Sequence, residues 1–159
     1  MLSKIRQRKE QEGFTIIEVL IVLAIAGLIM LIVFLAVPAL QRNSRNTQAK
    51  NAASSILGSI SEYENNNNGA MPTTVAVAAD GTVTVSGATG TTNATAKIQG
   101  GYTITTSTTF PTATTTGAFT VAFGNKCNGN TGFTAAGRAT AIAFYIEPGG
   151  TPVSQCVES

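Results

Sequence analysis

Histidine and tryptophan are absent from this 159-residue chain, aspartate occurs once, at Asp80, and cysteine twice, at Cys127 and Cys156. Without histidine, and with so few carboxylates, the usual means of acid-base, triad and metal catalysis are missing, and an enzyme is not expected. Charge is scarce as well, since only 11% of the residues are ionisable Asp, Glu, Lys or Arg and the formal balance is +2. A balance so near zero supplies no dense basic patch for counterion release, so strong direct binding of nucleic acid is not expected. Nothing in the composition calls for a cofactor or a metal.

What is present is unevenly placed. Lys4, Arg6, Arg8 and Lys9 outweigh Glu10 and Glu12 in the first thirteen residues, and the charged side chains beyond them cancel. From Val19 to Val37 every residue is apolar or glycine. At ~1.5 Å per residue those positions make about 28 Å of helix, close to the hydrocarbon thickness of a bilayer, and predict one membrane span. A secretory signal cut at Ala24-Ile25-Ala26 is the alternative, but it would leave Gly27 to Leu40 as an apolar end exposed to water. Basic residues lie on both sides of the span, including Arg42, Arg45 and Lys50 after it, so charge alone leaves its orientation open.

Past Pro38 the pattern becomes amphipathic. Ala49, Ala53, Ile56, Leu57, Ile60 and Tyr63 recur at spacings of three and four, so the helix continues with one buried stripe. Asn65 to Asn68 and Gly69 predict its end, because asparagine and glycine accept the left-handed backbone of a helix C-terminus. A helix over 14–67 would be roughly 80 Å long at ~1.5 Å per residue. From residue 70 the period becomes two. Val75, Val77, Asp80-Gly81, Val83 and Val85 predict a hairpin with a tight primed turn. Tyr102 to Thr106, Ala118 to Phe123 and Ala139 to Ile146 are further strands, with surface loops over Gly87 to Ala96 and Asn125 to Gly137. The fold class is α+β: a long N-terminal helix packed on a small antiparallel sheet.

Gly13-Phe14-Thr15-Ile16-Ile17-Glu18, behind a short basic leader and opening the apolar helix, resembles the class III signal of type IV prepilins and pseudopilins. The resemblance implies the type IV pilin fold, with 1–13 a cleaved leader, 14–67 the long helix with its span at about 14–40, and 68–159 a β-rich head. It implies a prepilin peptidase that cuts between Gly13 and Phe14 from the cytoplasmic side and methylates the Phe14 amine. It gives Glu18 an assembly role, paired with the Phe14 amine of a neighbouring subunit, because an ionised carboxylate in a low dielectric needs a charge partner. The plain alternative is a Glu18 that snorkels to the headgroups.

In that family helical structure is commonly lost in the filament between a glycine and a proline near Gly27 and Pro38; a simple kink is the alternative. Cys127 and Cys156 would close the C-terminal loop with a disulfide. The partners implied are further copies of the chain, the peptidase, the inner-membrane assembly machinery with its ATPases, and the membrane before assembly. The implied location is the cytoplasmic membrane for a single-pass precursor, then a pilus on the cell surface used for adhesion, motility or DNA uptake.

Three other readings stand beside it. A pseudopilin of a type II secretion system would typically carry calcium in the head, for which only Asp80, Glu147 and Glu158 offer carboxylates. A minor or competence pilin would place Lys97, Lys126 and Arg138 near DNA. A membrane-anchored binding domain would be a persistent monomer. Nine of the fourteen residues from Thr103 to Thr116 are threonine, which fits solvated strand.

Overall fold

The computed structural model describes residues 13–112 and 115–159. The residues expected to form the leader, apart from Gly13, lie outside that range. The chain divides into two compact units, one ending at Pro38 and one covering Ala39–Ser159. Helix α1, Ile16–Asn66, contributes to both, and Gly27 and Pro38 both lie within it.

In the first unit α1 has no buried residue. The large apolar side chains between Val19 and Val37 are 41% to 73% exposed. This stretch has a mean hydropathy of 3.3 and is long and apolar enough to cross a membrane.

In the second unit the amphipathic part of α1 buries Ala49, Ala52, Ala53, Ile56, Ile60 and Tyr63. The alanines let the helix approach closely, and the larger residues fill the core. Strands β1 (Thr74–Val77), β2 (Thr82–Ser86) and β3 (Ala94–Lys97) form one antiparallel sheet in that order. Strands β4 (Thr103–Thr106), β5 (Ala118–Asn128), β6 (Gly132–Ile146) and β7 (Val153–Glu158) form a second sheet in that order, antiparallel from β5 to β7. Val75, Val83, Val85, Ala94 and Ile98 from the first and Phe119, Val121, Ile142 and Phe144 from the second share one core with the helix. Phe119 sits between Tyr102 and Phe144, with ring centroids at 5.1 and 5.6 Å. The α+β class and the long helix on antiparallel sheet agree with the sequence.

Several details differ. The sheet is two sheets, and β4 pairs with β5 in parallel, Ile104 opposite Phe119. The first hairpin turns through Ala79, Asp80 and Gly81: the Ala78 N–H bonds to the Thr82 carbonyl, and the Gly81 N–H to the Ala78 carbonyl, both at 2.9 Å. Of those three only Gly81 has positive φ, +83°, so this is a three-residue loop closed by a left-handed glycine. The expected loop Gly87 to Ala96 contains the start of β3, and the expected loop Asn125 to Gly137 is mostly the far end of the β5–β6 hairpin.

That far end bends. The register slips between Phe123, opposite Thr140, and Asn125, opposite Ala135. Gly124 and Gly137 take φ of +69° and +66° at the slip, which a side chain would disfavour. The tip bonds to β7: Ser154 Oγ donates to the Asn130 carbonyl, the Cys156 N–H to Asn130 Oδ1, and Glu158 accepts from the Cys127 N–H. Cys127 and Cys156 are joined by a disulfide with Cα atoms 5.9 Å apart.

Candidate processing and assembly site

Gly13, Phe14 and Thr15 precede the helix. The sequence starts α1 at Ile16 because Thr15 caps it. The Glu18 N–H lies 3.3 Å from Thr15 Oγ1 and 3.1 Å from the Thr15 carbonyl, and the Val19 N–H bonds to the same carbonyl at 3.2 Å. Thr15 is therefore the N-cap and Glu18 the third residue of the first turn, the spacing of a capping box. A carboxylate in the first turn also favours the positive end of the helix dipole. The expected start at Phe14 is two residues early for this reason.

Phe14 is 82% exposed, and with Glu18, Val19, Val22 and Leu23 it lines a shallow open hollow. Glu18 has no ion pair among the described residues. Gly27 has no atom within 4 Å of where a Cβ would stand, so nothing in this chain demands glycine there on steric grounds. Its reason lies either in backbone freedom or in close approach by another helix.

In the head, the carboxylates lie apart. Asp80 accepts from Lys97 Nζ at 2.9 Å and from the Thr82 N–H and hydroxyl at 3.0 and 2.7 Å, which together hold it well below the usual carboxylate range. Glu147 pairs with Arg45 at 3.0 Å, and Glu158 serves the hairpin tip. No group of three metal-ligating side chains occurs among the described residues. The basic residues are equally dispersed: Lys97 is held by Asp80, Arg138 donates to the Gly69 carbonyl at the end of α1, and Lys126 is exposed on β5.

A cavity of about 250 Å³ lies beside α1, lined among others by Arg45, Asn46, Tyr102, Tyr145 and Glu147. Burial raises the Tyr102 phenol above its ordinary value, and the Tyr145 hydroxyl is committed to the Pro111 carbonyl at 2.7 Å. The lining brings together no nucleophile with an adjacent base.

Sequence reasoning missed two features. The Thr15 cap was readable from threonine followed three residues later by glutamate. Asn46 was not: its amide donates to the Glu147 carbonyl at 2.8 Å and accepts from the Glu147 N–H at 2.9 Å, pinning α1 to the end of β6. Nothing distinguishes Asn46 from its polar neighbours in sequence.

Residues 8–34 match the family model described as the prokaryotic N-terminal methylation motif. The chain carries that motif. It is the class III signal peptide of type IV pilins, and it supports a type IV pilin-like or pseudopilin precursor. The matched stretch holds Gly13, Phe14, Thr15, Glu18 and Gly27, and stops short of Pro38 and both cysteines. No curated protein and no solved structure matches the chain significantly.

Proposed function

We propose that this chain is a prepilin, cut between Gly13 and Phe14, methylated on the Phe14 amine, and polymerised through α1 into a type IV pilus. The observation that carries this reading is the coincidence of the methylation motif with an apolar helix surface that is exposed from Ile16 to Leu40. Lipid covers such a surface in the precursor and neighbouring helices cover it in a filament; water does not. Removing the basic leader leaves side chains that balance to zero. It also creates a cation, the Phe14 amine, for a Glu18 that has no ion pair among the described residues. The 14–67 segment then serves as membrane anchor and filament core, and the 68–159 head as outer surface.

In this reading the prepilin peptidase processes the subunit, and the inner-membrane assembly machinery with its ATPases extracts it into a filament for adhesion, motility or DNA uptake. Loss of helix between Gly27 and Pro38 during extraction is part of the same proposal. A pseudopilin shares the motif, but the dispersed Asp80, Glu147 and Glu158, each with its own protein partner, do not favour the calcium-binding head expected of one.

The test is the intact mass, with N-terminal fragmentation, of protein in fibres sheared from cells. A chain starting at N-methylated Phe14 with an oxidised cysteine pair supports the reading. Processed protein kept in the envelope favours the pseudopilin, and an uncut Met1 start refutes both.

A further inference from the structure

We propose that Thr15 is a positioning residue for leader removal: by capping α1 it keeps the Gly13 carbonyl, the one attacked in processing, out of the helix. This rests on the cleavage reading above. The first carbonyl of the helical ladder is that of Thr15, which accepts from Glu18 and Val19. The carbonyls of Gly13 and Phe14 accept no backbone bond among the described residues. Hydrolysis requires that freedom. A water oxygen must reach the Gly13 carbonyl carbon as the C–N bond to Phe14 breaks, with a proton passing to the Phe14 nitrogen. A carbonyl tied to an N–H one turn away is shielded on one side and fixed in orientation.

The alternative start shows why Thr15 matters. Gly13 is itself an acceptable N-cap, and Phe14, Ile16 and Ile17 do not prevent a helix. If the cap moved to Gly13, its carbonyl would take the first helical bond, from Ile17, and the scissile bond would join the helix. Thr15 prevents this as the N-cap, its carbonyl taking the first helical bonds while its hydroxyl serves the Glu18 N–H. Alanine at this position loses the hydroxyl and favours helix.

The experiment is pulse-chase processing of the full chain, co-expressed with a prepilin peptidase, for wild type, Thr15→Ala, Thr15→Ser and Thr15→Asp. Cleavage of Thr15→Ala is expected to slow about fivefold, the factor that one lost cap changes a helix-start equilibrium, with Ser and Asp restoring the rate. Backbone chemical shifts of Gly13 and Phe14 in micelles report the cap directly, and move to helical values only in Thr15→Ala. Equal rates for Ala and wild type, or Ser and Asp as slow as Ala, overturn the capping role. An uncut wild type instead sinks the processing reading, and this proposal with it.

A second, independent observation concerns the asparagine and aspartate side chains that precede glycine, Asn68, Asp80 and Asn128. In all three such places a five-membered imide can form, by attack of the glycine nitrogen on the preceding side-chain carbonyl. Two of those nitrogens are engaged: Gly69 N–H bonds to the Glu64 carbonyl at 2.7 Å, and Gly81 N–H to the Ala78 carbonyl at 2.9 Å. Gly129 N–H bonds to no backbone carbonyl in its turn among the described residues, and Asn128 and Gly129 are exposed.

We infer that Asn128 is a site of spontaneous deamidation. The Gly129 nitrogen attacks Asn128 Cγ, ammonia leaves, and water opens the imide to aspartate or isoaspartate, placing a negative charge beside the disulfide. Peptide mass mapping of the intact protein, aged in mildly alkaline buffer, tests this. Conversion at Asn128 ahead of Asn68 supports it; equal or faster conversion at Asn68, or an unchanged Asn128, overturns it.

Discussion

Replacing Cys127 and Cys156 together with serine removes the cross-link between the β5–β6 tip and β7, and its cost can be worked from the loop it closes. The cysteines are 29 residues apart. In the chain-entropy model, freeing a loop of that length stabilises the unfolded state by about 3.6 kcal/mol at ordinary temperature. The native state keeps its three hydrogen bonds from the tip to β7, those of Asn130 with Ser154 and Cys156 and of Glu158 with Cys127. The double mutant is therefore expected to fold with its sheet intact and to lose stability chiefly through its unfolded ensemble.

Urea unfolding of the full chain in detergent, followed by tyrosine fluorescence, reads this out, since Tyr63 on α1 and Tyr102 and Tyr145 in the head all lie in the second unit. With a slope of ~1.5 kcal/mol per molar urea, the midpoint should fall by about 2.4 M. A fall under a third of that, with unchanged slope, would refute the assignment of the stabilisation to loop closure. A changed slope would show that the denatured state itself had altered.

Two further outcomes follow from particular contacts. The Tyr63 hydroxyl is buried without a hydrogen-bond partner among the described residues, and a Cβ on Gly87 would stand 2.0 Å from it. Tyr63→Phe should change thermal stability little or raise it, whereas Gly87→Ala should cost roughly 1–3 kcal/mol by overpacking; combining them should recover part of that loss, which a double-mutant cycle measures. Asp80 has a folded pKa depressed below its ordinary value of 3.8, first by the Lys97 hydrogen bond and then by Thr82. Its contribution is therefore present above that value and lost as pH falls through the folded one. The melting temperatures of wild type and Asp80→Asn should differ by a small, salt-sensitive amount near neutrality and converge in acid, as befits an exposed pair.

The sequence disclosed those parts whose physics is local. The apolar run, the stripe Ala49 to Tyr63, the Asn-Gly stop and the valines of β1 and β2 each carry their own period or turn chemistry. At the end of α1 the Gly69 N–H reaches back to the Glu64 carbonyl with Asn68 at φ +53°, as that composition predicts. What escaped depends on distant partners. The hairpin tip reads as loop because Gly124, Asn125, Gly129 and Gly137 outweigh its apolar residues, yet β7 gives it something to fold onto. Strand β3 has only Ala94-Thr95-Ala96-Lys97 to declare it, and is a strand because Val83 and Val85 lie opposite Ala96 and Ala94. The parallel β4–β5 pair has no local signature at all, since its connection passes through threonine-rich chain.

β7 is the last strand in the sequence, and it covers the flank of β6 along Ala141 to Ile146. During synthesis that flank is made before its cover. For the interval in which Val153–Glu158 has yet to emerge, the apolar end of β6 presents an unpaired row of amides and carbonyls beside Ile142 and Phe144. Such a row accepts any strand that arrives first. The stripe on α1 waits longer still, because its partners lie far along the chain and long-range contacts form late. The head is therefore vulnerable while incomplete, and a nascent chain stalled before Val153 should be among its most aggregation-prone forms.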